Sequence, residues 1–380
     1  SAAQAIRQRN QVADITLISA ESAYPYYRPA LSDLIVKDVT EQEFNLNPEA
    51  WYEQNNIQII LNTVVQGVNA TDRVVNLGNK TQLAYDKLIL ATGSSNFIPR
   101  LKGIEATGVF SIKEKEDALA LRAYAEGKDR AVIIGGGVLG LEAADALQEL
   151  GLSVTVVEAM DRIMPRQLDP SASEFMSFIL NNKGVDLRTG SSVEEILTKD
   201  GVVTGVKICQ DVISADIVVV SVGVRANVEV ARSAGLTINR GIVVNENMQT
   251  SNPHIYACGD VAEFEGVATN LWAPAIEQGK VAGKHAVGDV ATFANKVEPL
   301  SLIAFGTEMF AVGTYPLENI EQYQILMNAD PKTGNFKKLY FDRDRLVYGV
   351  LFKDITKANV LLNGIRQGHS CYTIMNKLFV

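Results

Sequence analysis

The sequence predicts an α/β protein with parallel strands, and three observations predict it. Residues 131–134, Ala-Val-Ile-Ile, are an apolar run that enters a glycine-rich turn and then a helical pattern. Residues 141–150 carry apolar side chains at helical spacing, Gly151 stops them, and residues 153–158 follow as a second strand. The start of the chain has the same order, with a helix over residues 1–9 and a strand over residues 14–19. Strand, helix and strand joined by tight turns form a parallel βαβ unit. A chain of 380 residues exceeds what one core usually holds, so two or three domains are expected.

The glycine turn carries chemistry. Gly135, Gly137 and Gly140 are spaced as G-x-G-x-x-G. In that arrangement the first glycine permits the strand-to-helix turn, the second lets backbone approach a pyrophosphate, and the third lets helix pack on strand. The helix start at Val138 and Leu139 then offers unpaired N–H groups and a positive dipole end to phosphates. Glu158, at the carboxyl end of the second strand, can accept hydrogen bonds from a ribose diol and would repel a 2′-phosphate. NAD(H) is therefore preferred over NADP(H), with Arg162 working slightly against that preference. A purely structural turn followed by a solvated glutamate is the bland alternative, and the strand before and helix after the glycines favour the nucleotide.

Bulk properties exclude other classes. A formal charge of −9 argues against nucleic-acid binding and against adsorption to anionic membranes. Cys209, Cys258 and Cys371 are far apart and form no ligand-like pair, a usage that fits a reducing cytoplasm. No apolar run is long enough to span a membrane, and no basic segment followed by an apolar one marks the start for export. His254, His285 and His369 are scattered, so no metal site is expected.

Taken in order, the helix over residues 1–9 begins without a cap, as though cut mid-element. The strand and glycine loop that should precede it are missing, and an N-terminal truncation is expected. Residues 24–32, Tyr-Pro-Tyr-Tyr-Arg-Pro-Ala-Leu-Ser, are dense in aromatics with two prolines and read as an ordered loop, with Arg28 and Pro29 in a clamp for something flat. Residues 51–60 and 64–77 suggest a short helix and small antiparallel strands. Residues 85–94 form a buried strand ending in the small turn Ala91-Thr92-Gly93, where a backbone can lie against a ligand.

Residues 85–94, the glycine loop, residues 221–227 (Ser-Val-Gly-Val-Arg-Ala-Asn) and residues 250–260 (Thr-Ser-Asn-Pro-His-Ile-Tyr-Ala-Cys-Gly-Asp) together resemble the FAD- and NAD(P)-dependent pyridine nucleotide-disulfide oxidoreductases. Within them, residues 26–29 and 256–264 are most similar to NADH:rubredoxin oxidoreductases and to the NADH-oxidising half of assimilatory nitrite reductases. The resemblance implies two Rossmann-like, three-layer dinucleotide-binding domains arranged as in glutathione reductase, plus a small α+β C-terminal domain. It divides the chain into an FAD domain (1–104 and 226–298), an NAD domain (105–225) and a C-terminal domain (299–380). The FAD phosphate loop would then lie upstream of Ser1.

The resemblance also implies roles. Asp260, after Gly259, resembles the carboxylate on the ribityl chain, and Glu21 more loosely resembles the acid on the adenosine ribose. Residues 271–279, with Trp272 and Gln278, resemble the segment that meets the isoalloxazine ring; Gly223 lies in the third motif. Glu142 resembles the acid that orients the nicotinamide carboxamide; the chemistry itself is borne by the cofactors. Disulfide reductases of the family need a cysteine early in the FAD domain, and none precedes Cys209. Cys258 reads as packing.

The expected function is hydride transfer from NADH to FAD, with electrons passed on to a small acidic redox protein such as rubredoxin. The alternatives are an NADH oxidase, the NADH module of a nitrite reductase, and a flavin-free NAD(H)-binding sensor or partner-binding protein. A monomer or homodimer is expected. Residues 301–380 read as strands (305–314, 337–341, 346–352) and an amphipathic helix (357–366), and carry a net +2 against −11 for the rest. Lys337, Lys338, Arg343 and Arg345 there are either a solvated strand face or a docking patch for the acidic partner.

Overall fold

The computed structural model describes residues 1–209, 211–315, 317 and 319–378. At its centre lies a sheet of five parallel strands in the order Asp186–Arg188, Ser153–Val157, Arg130–Ile134, Ile217–Val220, Val109–Phe110. Its middle strands, Arg-Ala-Val-Ile-Ile and Ile-Val-Val-Val, are buried almost throughout because a parallel sheet is covered on both faces. On one face Ala131 and Ile133 meet Leu141, Ala144 and Leu147 of the helix Val138–Glu149. On the other, Val132 and Ile134 meet Val193, Ile196, Val203 and Val206. The latter come from an antiparallel meander, Val193–Lys199, Val202–Ile208 and Asp211–Ser214.

The chain enters and leaves this unit through an antiparallel pair, Ser94–Asn96 with Val224–Ala226. Outside it stand three parallel pairs among the described residues, Ile15–Ile18 with Ile57–Ile60, Leu88–Leu90 with Ile255–Ala257, and Ile242–Val244 with Ala262–Phe264. The helix Ala2–Arg9 lies against the helix Trp272–Ala286 so closely that a Cβ on Gly283 would come within 2.5 Å of the Ala2 carbonyl oxygen. Arg7 is buried there, its guanidinium donating to the carbonyls of Asn55, Asn56, Gln11 and Ala13. Those bonds tie helix, strand entry and the 55–56 turn together.

The last third is an antiparallel sheet in the order Leu300–Ala304, Thr307–Gly313, Arg345–Phe352, Asn335–Asp342, Gln324–Asp330. Strand alternation sends Leu339, Phe341 and Leu351 to one face, where Leu361 and Ile374 of the helices Ala358–Gln367 and Cys371–Leu378 cover them. It sends Phe336 and Phe352 to the other face, where Phe175 of the helix Pro170–Asn182 packs on both rings at 5.0 and 5.5 Å. The C-terminal sheet is thus built onto the central unit. No helix among the described residues is long and apolar enough to cross a membrane.

Two local expectations are corrected. Residues 24–32 are not loop throughout: Arg28–Ala30 is a 3-10 turn that runs into the helix Leu31–Val36. Pro29 sits in the first turn, where its missing N–H costs nothing, and so starts the helix instead of preventing it. The strands Leu300–Ala304 and Gln324–Asp330 were not expected. Both are sheet edges; Gln324–Asp330 is mostly exposed and lacks the apolar alternation of a buried strand, and Leu300–Ala304 is short, with Ile303 exposed between buried Leu302 and Ala304.

Candidate functional site

Each glycine of the turn after Arg130–Ile134 has a distinct physical job. Gly135 has φ +113, and a Cβ there would stand 2.1 Å from the Ser221 carbonyl oxygen. Gly140 faces the turn itself, its added Cβ 2.1 Å from the Gly135 carbonyl oxygen. Gly137 is the N-cap of Val138–Glu149 and has nothing within 4 Å of an added Cβ. Two glycines are required by the protein's own packing, and the third leaves open space at a helix N-terminus, where an anion is favoured. Leu139, in the first turn of that helix, is 57% exposed.

Sequence spacing assigned nothing to Gly136, yet it holds the loop in register. Its N–H donates to Glu158 Oε2 at 2.7 Å, and its carbonyl accepts from the Met164 N–H at 3.0 Å. Glu158 Oε1 accepts in turn from the Met160 N–H at 2.8 Å. The carboxylate expected to meet a ribose is therefore already oriented by two backbone donors. Glu142 points from the same helix toward the helix Leu31–Val36. Burial first, and the neighbouring Asp33 carboxylate second, push its carboxyl up to about 7.

A second polar group forms where the strands Leu88–Leu90 and Ile255–Ala257 end together. Ser94 Oγ donates to Asp260 Oδ2 at 2.6 Å, and Lys113 Nζ lies 2.8 Å from Ser94 Oγ and 3.5 Å from Asp260 Oδ2. Thr92 and Asn227 exchange hydrogen bonds through side chain and backbone at 2.8 Å each way. Buried Gln278 accepts from the Gly259 N–H at 2.8 Å, holding that glycine at φ +76 before Asp260. Glu21 accepts from the Tyr26 hydroxyl and the Arg28 guanidinium, and Arg28 also donates to the Lys113 carbonyl. Lys113 thus connects the Glu21–Arg28 pair with the Ser94–Asp260 pair. No sequence signal singled it out, because it lies between motifs.

The aromatics of residues 24–32 are mostly not a clamp. Tyr26 is buried, stacked on Phe44 at 4.6 Å, with the Arg28 guanidinium 4.8 Å from its ring centroid. Tyr27 is the exposed one, set edge-on to Trp272 at 5.3 Å. Pro29 and Ala91 are exposed, Thr92 and Gly93 half-buried, and Gly223 is exposed with φ +106 beside the carbonyl turn that meets Gly135.

A model of the pyridine nucleotide-disulphide oxidoreductase family matches residues 1–286. The chain belongs to that family. It is 36% identical over 355 residues to a nitrite reductase [NAD(P)H] of Bacillus subtilis, covering 93% of this chain and 44% of that protein. It is 34% identical over 300 residues to an NADH-rubredoxin oxidoreductase of Clostridium acetobutylicum, covering 77% of this chain and 75% of that one. The solved NADH:rubredoxin oxidoreductase of Clostridium acetobutylicum superposes with a TM-score of 0.83 at 27% identity, covering 99% of this chain and 96% of that one. The chain therefore spans under half the length of the nitrite reductase it matches.

Within this family member, the structure rejects the C-terminal basic cluster as one patch. Lys337 pairs with Asp354 at 3.0 Å and helps hold that carboxyl down to about 2, after the Thr356 hydroxyl. Lys338 is 8% exposed and faces Asp169 and Ser171 on the central unit. Strand alternation puts the two lysines on opposite faces, which the consecutive basic letters conceal. Cys258 is buried, and burial pushes its thiol up to about 11; Cys209 is exposed and Cys371 buried, both remote in sequence from the nucleotide turn.

Proposed function

We propose that the protein is an NADH-dependent FAD reductase that hands electrons to a small acidic redox protein of the rubredoxin kind. The observation that supports this best is that two separate polar sites form at the carboxyl ends of two parallel-strand units, the position where such sheets bind nucleotides. One is the glycine turn at Gly135–Gly140 with Glu158; the other is the Asp260, Ser94, Lys113 and Gln278 group.

The residues present fit both cofactors. The open space at Gly137 suits a pyrophosphate, and Glu158, already aimed by Gly136 and Met160, suits an unphosphorylated adenosine ribose. Asp260 and Ser94 suit the ribityl chain of FAD, and Lys113 and Arg28 supply cationic donors for its phosphates. FAD, when bound, supplies the hydride-accepting and one-electron-releasing chemistry. The protein's part is to bind and orient. Glu142, largely protonated below pH 7, offers a hydroxyl to the nicotinamide carboxamide there and a carboxylate above it. Cys258 is held as a neutral thiol at working pH, which disfavours a thiol-based reductase.

A second reading is that the acceptor centres belong to a longer polypeptide, as in a nitrite reductase. The sequence match to that relative favours it, taking in 93% of this chain against 77% for the rubredoxin oxidoreductase, although the latter's solved structure covers 99%. NADH oxidation by the flavin-loaded protein, measured with rubredoxin, ferredoxin, ferricyanide or oxygen as acceptor, separates the readings. Rubredoxin reduction far above oxygen consumption supports the first. Ferricyanide turnover without rubredoxin turnover supports the second, and no NADH oxidation with any acceptor overturns both.

A further inference from the structure

The loop between Glu158 and the helix Pro170–Asn182 is exposed at residues 159–161 but carries four later side chains into the interior. Ile163, Met164, Leu168 and Asp169 are all 0% exposed. On its inner side this loop holds the nucleotide turn. The Met164 N–H donates to the Gly136 carbonyl at 3.0 Å, and the Ile163 side chain stands 2.8 Å from where a Gly136 Cβ would sit. Met164 itself has φ +48, a conformation that a side chain adopts only when its surroundings enforce it.

The enforcement comes from the C-terminal sheet. The Tyr348 hydroxyl donates to the Gln167 carbonyl at 2.7 Å, and the Gln167 N–H donates to the Met164 carbonyl at 3.0 Å. The Tyr340 hydroxyl donates to Asp169 Oδ2 at 2.9 Å. Lys338 Nζ reaches Ser171 Oγ at 2.6 Å and Asp169 Oδ1 at 3.4 Å. The same Asp169 carboxylate caps its helix through the Ala172 N–H at 2.9 Å. Apolar contacts around Phe175, Phe336 and Phe352 already join the two units. A buried lysine, carboxylate and two tyrosine hydroxyls add little adhesion after desolvation, but they fix direction, which apolar contacts do not.

We propose that Lys338, Tyr340 and Tyr348 of the C-terminal sheet are positioning residues for the nucleotide turn at Gly135–Gly140, acting through the buried loop 163–169. The inference rests on the reading of that turn as the NADH site. Without the Tyr348 hydroxyl the Gln167 carbonyl loses its anchor, and the relaxation reaches Gly136 through the Gln167–Met164 and Met164–Gly136 hydrogen bonds. Without the Tyr340 hydroxyl, Asp169 at the end of the loop loses a partner.

The test is the affinity of the flavin-loaded Tyr340→Phe/Tyr348→Phe variant for ADP-ribose, read by calorimetry, alongside NADH kinetics. ADP-ribose carries the pyrophosphate but no hydride, so its binding reports positioning alone. The expected result is ADP-ribose affinity weakened about tenfold and KM for NADH raised in step, with kcat within twofold of wild type and an unchanged flavin spectrum. A lower melting temperature with unchanged ADP-ribose affinity shows a merely structural role and overturns the proposal. Should the double variant not fold, Tyr348→Phe alone leaves Asp169 fully partnered and is expected to weaken ADP-ribose about threefold; no change there overturns the proposal equally. Gly137→Ala, run in parallel, tests the reading beneath it. If that variant binds ADP-ribose like wild type, the turn is not the nucleotide site and the proposal falls with it.

Discussion

The glycine turn and the Asp260 group are both proposed nucleotide sites at the ends of parallel strands, and they are built by opposite means. The first is backbone: three glycines, a helix N-terminus and one carboxylate, contained within residues 135–158. The second is side chains drawn from five separated places, Glu21 with Arg28, Ser94, Lys113, Asp260 and Gln278. A backbone site demands particular residues because only glycine fits, so substitution is all-or-none. A side-chain site divides its binding among many contacts, and each single loss is partial.

That contrast orders the expected effects. Gly135→Ala or Gly140→Ala drives a Cβ to 2.1 Å from a carbonyl oxygen and is expected to cost at least ~3 kcal/mol, leaving little folded protein by thermal melt. Gly137→Ala has normal backbone angles and open space, so it is expected to melt within about 1 kcal/mol of wild type. It should nevertheless lose NADH affinity by roughly a hundredfold, because the methyl takes the pyrophosphate's place. A Gly137→Ala protein that binds NADH normally would dissolve the distinction between packing glycines and the ligand glycine. On the flavin side, Lys113→Met is expected to weaken FAD retention only about tenfold, the scale of one charge-assisted contact, as followed by flavin release on dilution.

Smaller effects probe the electrostatics. Glu142 has its carboxyl raised to about 7 from an ordinary 4.5, so the unfolded chain ionises it first. Its burial therefore costs nothing below pH 4, costs progressively more as pH rises from 4.5 to 7, and levels off above. Glu142→Gln should accordingly gain about 2 kcal/mol at pH 8 and nothing at pH 4 in urea melts; an equal gain at both pH values would contradict the assignment. Lys337→Met removes a partly exposed pair with Asp354 and is expected to change stability by under about 1 kcal/mol.

The same contrast explains what could be read from the letters. The βαβ core, its glycine turn and Glu158 were legible because local backbone demands leave a local pattern. Asp260 and Gln278 enter the proposed flavin site only through the order of the family's motifs. Lys113 was missed because three-dimensional convergence on Ser94 and Asp260 leaves no trace in spacing. Gly136 escaped for another reason: its neighbours Glu158, Ile163 and Met164 are 22 to 28 residues downstream. In the C-terminal sheet, Lys337 and Lys338 looked like one charged patch until alternation placed them on Asp354 and Asp169. The helical start at residues 28–32 is hidden in the letters because two prolines suggest a loop over residues 24–32, whereas Pro29 sits in a first turn.

The most direct test of which site takes which nucleotide is an anaerobic NADH titration of the flavin band in wild type and Gly137→Ala. With NADH at the glycine turn and FAD at the Asp260 group, wild type is expected to bleach with about one NADH per flavin. Gly137→Ala is expected to keep its full flavin spectrum yet bleach only with a large excess of NADH. A Gly137→Ala protein that has lost its flavin while reacting normally with NADH after reconstitution would contradict that placement.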